Sequence, residues 1–217
     1  MDKNDIMTKI ERGREYRNID VQGIETREDA DGQMIVEGYA TTFNEPYVLY
    51  EDANWQIIEA VDARAFDNTD MTDVIMQYDH RGRVFARTKN NTLEITPDEH
   101  GLKVRADLGG TSEGRKLYEE IKGGYTDKMS FGFVVDGDER VAFEEEGREG
   151  VRRTITSIKK LYDVSAVSIP ANDATEISAR NLSDGLIAEV EQERLAKRKL
   201  ELEIARAKLR ARFLEER

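Results

Sequence analysis

The sequence predicts an α+β, β-rich domain followed by a long amphipathic helix. Three observations predict it. Between residues 33 and 170, short apolar or alternating runs rich in β-branched and aromatic residues recur, punctuated by Gly, Pro, Asn and Asp. Only residues 111–123 in that region carry helical periodicity. Past Gly185 there is no Gly or Pro, and half of residues 184–217 are charged. At ~150 residues per domain, 217 residues make one domain with an extension. The expected organisation is a flexible N-terminal arm (1–30), a folded domain (31–180) and a C-terminal helical extension (184–217).

The arm is polar and charged, with at most an edge strand near Arg17–Thr26. Strands are expected at Gln33–Phe43, Trp55–Val61, Asp73–Tyr78 and Val84–Arg87, the last after a turn at Arg81-Gly82. Thr92–Thr96 alternates with Leu93 and Ile95 inward, and Leu102–Leu108 alternates again. The five residues Pro97–Gly101 between them make a hairpin signal. Thr111 offers a cap, Leu117, Tyr118 and Ile121 share one helical face, and Gly123-Gly124 ends the helix. Met129–Val135 reads as a buried strand. The acidic stretch Asp136–Gly150 fits a solvated hairpin or loop. Thr154–Ile158 and Leu161–Ile169 are the last strands, stopped by Pro170. In the extension, Leu186, Val190, Leu195, Leu202, Leu209 and Phe213 recur at roughly helical spacing, and Glu193–Lys197 and Glu203–Arg206 are helical ion-pair spacings. Such a helix is too long to pack wholly on a small domain, so a partner helix is expected.

Composition narrows the chemistry. The formal net charge is −12, which argues against a generic nucleic-acid binder. There is no cysteine, so disulfides, thiol nucleophiles and Cys-based metal sites are excluded. Two histidines, His80 and His100, are too few for a His-rich metal site. No metal and no cofactor is expected. No apolar run approaches the ~18 residues of a membrane span, and the first residues lack the apolar stretch of a secretory signal. A soluble, intracellular protein is expected.

Few residues are left that could carry catalysis. A hydroxyl nucleophile needs a base, and histidine is the usual one near neutral pH. His100 lies at a polar turn tip. His80 directly follows an apolar strand, where a side chain can be held firmly, though a lone histidine is also commonly structural. Ser130 places a small hydroxyl in the apolar strand Met129-Ser-Phe-Gly-Phe133, with Gly132 allowing close approach. The alternative for Ser130 is a core serine bonded to a neighbouring carbonyl. Asp163 lies in Leu161-Tyr-Asp-Val-Ser-Ala-Val-Ser-Ile-Pro170, a strand with apolar residues on both faces. A carboxylate there needs a partner, which could be a histidine N–H, an Arg or a Lys. The acidic run 136–149 lacks a calcium-loop pattern, and Gly109-Gly-Thr-Ser112 lacks the lysine of a phosphate-binding loop.

Taken in order, these blocks resemble a known family. A strand ends in His80, and Arg83-Val-Phe-Ala-Arg87, Asp98-Glu-His-Gly-Leu-Lys-Val104 and Tyr118-Glu-Glu-Ile-Lys-Gly123 follow. Then come Asp127-Lys-Met-Ser-Phe-Gly-Phe133 and Leu161-Tyr-Asp-Val-Ser-Ala-Val-Ser-Ile-Pro-Ala-Asn172. Over about residues 33–180 the chain resembles the prohead (procapsid maturation) proteases of tailed bacteriophages, the HK97-type group. Family members often carry Gly where Ala86 stands and Asp where Arg81 stands. The resemblance implies a herpesvirus-assembly-protease-like β-barrel with surrounding helices. It implies Ser130 as nucleophile, His80 as general base and Asp163 as third member. The implied activity is that of a serine endopeptidase that cleaves the scaffold segment of the major capsid protein, and itself, inside the assembling procapsid in the host cytoplasm. The implied partners are that capsid protein and further copies of the chain, with no nucleic acid and no membrane. A non-catalytic scaffold or assembly protein of the same fold is the competing reading. A third is a β-rich binding module with a helical dimerisation arm.

Overall fold

In the computed structural model, described residues are 13–19, 24–28, 32–51, 53–145, 147–167, 190 and 192–208. The chain divides into two compact units, 1–182 and 183–217. Residues 1–12, the end of the last motif from Ser168 to Asn172, and both ends of the expected C-terminal helix lie outside the described residues.

The first unit is built from strands β1 (Glu15–Ile19), β2 (Glu25–Glu28), β3 (Met34–Thr42), β4 (Tyr47–Glu51), β5 (Trp55–Val61), β6 (Ile75–Tyr78) and β7 (Arg81–Arg87). After a 3-10 turn at Thr88–Asn90 come β8 (Leu93–Pro97), β9 (Gly101–Asp107), helix α1 (Ser112–Lys122), β10 (Lys128–Glu145) and β11 (Arg148–Val167). One sheet runs β1-β10-β11-β5-β4, with β6 also paired to β11 and β7 to β6; the other runs β2-β3-β9-β8. The expected closed barrel is not formed: among the described residues no ring of paired strands closes. Instead the two sheets share one buried cluster. Val36, Ala40, Leu102, Val104 and Ala106 come from one sheet, and Met76, Phe131, Phe133, Ile155, Leu161 and Val164 from the other. Surrounding helices are not seen either, since α1 is the one helix of this unit among its described residues.

The acidic stretch 136–149 is part of one long hairpin, β10–β11, turning at Gly147 with φ 78°. Its polar composition reflects solvent exposure rather than an interruption of the strands. β11 is shared along its length. Residues 149–155 pair in parallel with β5, and 163–166 pair in parallel with β6. Thus one strand joins the part of the sheet that holds β5 to the part that holds β6.

α1 begins where its sequence indicates. The Thr111 hydroxyl accepts from the Gly114 amide at 2.9 Å, and Gly114, Leu117, Tyr118 and Ile121 form the buried face. Gly114 is there for space: a Cβ would lie 2.3 Å from the Leu108 carbonyl oxygen. Alanine normally stabilises a helix interior by ~1 kcal/mol over glycine. Here Gly114→Ala is expected to destabilise by about 1–3 kcal/mol, because α1 must shift away from the Leu108 carbonyl to admit the methyl. Urea unfolding of the variant checks this, with a lower midpoint expected.

In the second unit, residues 192–208 are helical, with Leu195, Leu200, Leu202 and Ile204 exposed. Among the described residues, no helix is long and apolar enough to cross a membrane.

Candidate active site

Strand alternation aims Ser130. Met129, Phe131 and Phe133 face the core, where the two phenyl rings stack at 4.4 Å. Ser130 and Gly132 therefore face the opposite side. Ser130 is fully buried.

Asp163 reaches the same side through an irregularity. In the β10–β11 register Gly132 faces Asp163, but Phe133 faces Leu161, so Tyr162 is an extra residue. This bulge flips the alternation. Leu161 before it and Val164 and Ala166 after it all belong to the core, while Asp163 and Ser165 turn away from it. Gly132 supplies the room for Asp163: a Cβ there would lie 2.4 Å from Asp163 Oδ2 and 2.6 Å from Tyr16 Cε1.

His80 is delivered by the turn between β6 and β7. Tyr78 faces Arg81, and the two residues between them, Asp79 and His80, have φ 47° and 56°. That pair of positive values belongs to the tight turns that suit hairpin twist, where Asn and Gly are usual. The Asp79 amide donates to the Ala166 carbonyl at 3.1 Å, fixing the turn against β11. A histidine held in left-handed backbone costs conformational energy, which is compatible with a positional demand on its ring.

These placements bring all three candidate residues into one line. His80 Nδ1 bonds Asp163 Oδ1, and His80 Nε2 lies 2.5 Å from Ser130 Oγ. Ser165 Oγ donates to Asp163 Oδ1 at 3.0 Å. The Tyr16 ring meets the His80 ring edge-on at 4.5 Å. His80 and Asp163 are both buried, at 4% and 3% exposure. A carboxylate on Nδ1 favours the tautomer with the proton there, leaving Nε2 as an acceptor toward Ser130. His100 is elsewhere, against Tyr39 at 4.6 Å.

Four neighbours were not legible as site residues: Ser165, Tyr16, Arg17 and Glu59. Ser165 could have been found, since it lies two positions from Asp163 on one strand face. The other three required the tertiary structure. β1 pairs antiparallel with β10, Asn18 opposite Ser130, and Ser130 Oγ also lies 2.8 Å from the Arg17 carbonyl oxygen, in position to donate to it. The single Ser130 proton thus has two acceptors in reach, that carbonyl and His80 Nε2.

The Arg17 side chain enters a buried charge network. Its Nε and Nη2 donate to Glu59 at 2.5 and 3.0 Å, and Nη2 also bonds Glu15. Arg153 donates to Glu59 at 2.7 Å and to Glu15 at 2.8 and 3.0 Å, and also bonds Asp138. The Tyr47 hydroxyl bonds Glu59. Burial pushes the Glu59 carboxyl up, but the Arg17 and Arg153 charges outweigh it and hold it below the usual carboxylate range. Burial and the Glu59 charge together raise Tyr47 well above an ordinary phenol. Burial likewise opposes ionisation of Glu15, and Arg17 and Arg153 bring it down to about 2.

A depressed carboxyl stabilises the fold fully above its unfolded value, ~4.3, and loses that contribution as pH falls through the folded value. For Glu15 the window runs from about 4.5 down to about 2. Glu15→Gln is therefore expected to lower stability by up to about 3 kcal/mol at pH 7, with the deficit shrinking as pH drops toward 2. Thermal melts of both proteins across that range check it.

No group of three or more acidic or histidine side chains among the described residues could hold a metal ion.

The caudovirus prohead serine protease family model matches residues 22–188. Among solved structures, the chain is similar to the bacteriophage T4 capsid assembly protease, gp21, at 13% identity and a TM-score of 0.41, covering 72% of this chain and 98% of that one. No curated protein sequence matches. With the match spanning most of its length, the chain belongs to the caudovirus prohead serine protease family.

Proposed function

From that membership and the site geometry, we propose that the protein is a serine endopeptidase of procapsid maturation, with Ser130 as nucleophile, His80 as general base and Asp163 as the group that orients and stabilises the imidazolium. The observation that carries this reading is the continuous line Ser130 Oγ–His80–Asp163. His80 Nε2 takes the Ser130 proton as the oxygen attacks a peptide carbonyl carbon. The imidazolium that forms is stabilised by Asp163, itself held by Ser165. His80 then gives the proton to the departing amine. Water, activated by the same imidazole, releases the acyl group and regenerates Ser130.

The proposed substrates are the scaffold segment of the major capsid protein and the protease itself, inside the assembling procapsid of the host cell. Residues 31–180 act as the protease domain. Residues 184–217 act as a tether to scaffold helices, for which the exposed Leu195, Leu200, Leu202 and Ile204 supply apolar contacts. Self-association raises local activity once copies are concentrated in the shell. A non-catalytic scaffold of the same fold would not need Ser130, His80 and Asp163 together. Co-production with the major capsid protein tests the proposal. The wild type is expected to yield shortened capsid protein and Ser130→Ala only full-length. Shortening by both variants, or by neither, contradicts it.

A further inference from the structure

β1 lies beside the candidate nucleophile, with Asn18 opposite Ser130 on β10 and the Arg17 carbonyl oxygen 2.8 Å from Ser130 Oγ. It is the terminal strand of its sheet, paired only to β10, and it precedes the residues matched by the family. Ser130 and His80 are both buried. With β1 seated, Ser130 is fully buried and its Oγ lies against the Arg17 carbonyl oxygen.

Three features make β1 look like a substrate in that place. Its backbone runs antiparallel to β10, the arrangement by which an extended peptide adds to a sheet edge. One of its carbonyls, that of Arg17, lies with its oxygen 2.8 Å from Ser130 Oγ. The side chain of that same residue is 2% exposed and, besides Glu15 and the Tyr16 carbonyl on β1 itself, meets groups from other elements. Glu59 from β5 receives it with two bonds, and Tyr47 from β4 bonds the same carboxylate. The Phe133 ring lies 5.7 Å from the guanidinium carbon. If Arg17 leaves, the fully buried Glu59 loses one of its two cationic partners and keeps Arg153. Such a carboxylate demands a cation in return.

We infer that β1 occupies the substrate groove as the enzyme's own substrate, that the groove selects a basic residue through Glu59 immediately before the cleaved bond, and that the Arg17–Asn18 bond is cut. The inference rests on the serine protease reading above. In the reaction, Ser130 Oγ bonds to the Arg17 carbonyl carbon and the bond from that carbon to the Asn18 nitrogen breaks. His80 carries the Ser130 proton to that nitrogen, which becomes a free amine. One water then splits the ester, leaving a carboxylate on Arg17 and the hydroxyl on Ser130. Glu59 is a specificity residue and takes no part in bond exchange. In capsid substrates the same rule places cleavage after Arg, with Lys second, because an ammonium keeps the charge but loses the two-pronged fit.

The test uses the full chain and three internally quenched peptides carrying residues 13–22, with Arg, Lys or Leu at the Arg17 position. Incubated wild type is expected to yield a fragment starting at Asn18, absent in Ser130→Ala. The Arg peptide is expected to be cut about 10²-fold faster than the Leu peptide, with Lys between, and Glu59→Gln is expected to narrow that ratio at least tenfold. Arg17→Ala is expected to slow self-cleavage at 17–18 about 10²-fold. If Glu59→Gln fails to fold, the peptide ratio on the wild type still decides. Active enzyme that shows no basic preference and leaves the 17–18 bond intact makes β1 an ordinary structural strand, overturning this inference alone. No cleavage of any peptide or of co-produced capsid protein overturns the protease reading with it.

Discussion

Ser130→Ala is expected to lower the rate of peptide-bond cleavage by about 10⁵–10⁶-fold while leaving the fold in place. The hydroxyl lies between two acceptors, His80 Nε2 and the Arg17 carbonyl. Its loss removes a hydrogen bond worth about 1 kcal/mol of stability, small against the catalytic loss. His80→Ala is expected to cost a similar factor, because an unactivated hydroxyl is a poor nucleophile. The two act as one unit, so the double variant should be no slower than either single variant. Cleavage followed by intact mass, with circular dichroism confirming the fold, measures all three. A scaffold without catalysis predicts that none of these changes alters processing.

The second large effect is at Asp163. Asp163→Asn keeps the shape but offers an amide NH₂ to His80 Nδ1. That favours the tautomer with its proton on Nε2, which cannot accept the Ser130 proton. The expected loss in kcat is about 10³–10⁴-fold. Ser165 Oγ donates to the same Oδ1 that His80 Nδ1 bonds, so for the amide NH₂ to face His80 the Ser165 hydroxyl must turn to accept from it. Ser165→Ala frees the orientation and is expected to cost about tenfold on its own, with KM little changed. Gly132 sets the other boundary of the carboxylate, since any side chain there meets Oδ2 at 2.4 Å. Kinetics of Asp163→Asn against wild type, at matched protein stability, check the prediction; an unchanged kcat would remove Asp163 from the mechanism.

Much of the strand framework could be read from alternation. Trp55–Val61 and the hairpin around Pro97–Gly101 are where their patterns place them, and α1 starts at its cap. β4 escaped notice because Tyr47–Glu51 is partly exposed throughout and shows no clear period. The barrel expectation failed because it came from the resemblance and not from any pairing information in the residues. At the site, the parity of Met129–Phe133 already points Ser130 away from the apolar residues. Asp163 is different: its aim depends on the bulge at Tyr162, and a bulge leaves no mark in an alternating pattern. Arg17 and Glu59 were illegible for another reason. Charged residues in an arm and in a strand read as solvated, yet these two, 42 residues apart, bury each other.

Reaction with a fluorophosphonate, which phosphonylates an activated serine, tests the central claim most directly. Peptide mapping of the treated full chain is expected to find one adduct, on Ser130, formed at least 10³-fold more slowly in His80→Ala and Asp163→Asn. An adduct elsewhere with Ser130 unmodified, or labelling of Ser130 that is indifferent to His80, would contradict the assignment of Ser130, His80 and Asp163 as the catalytic line.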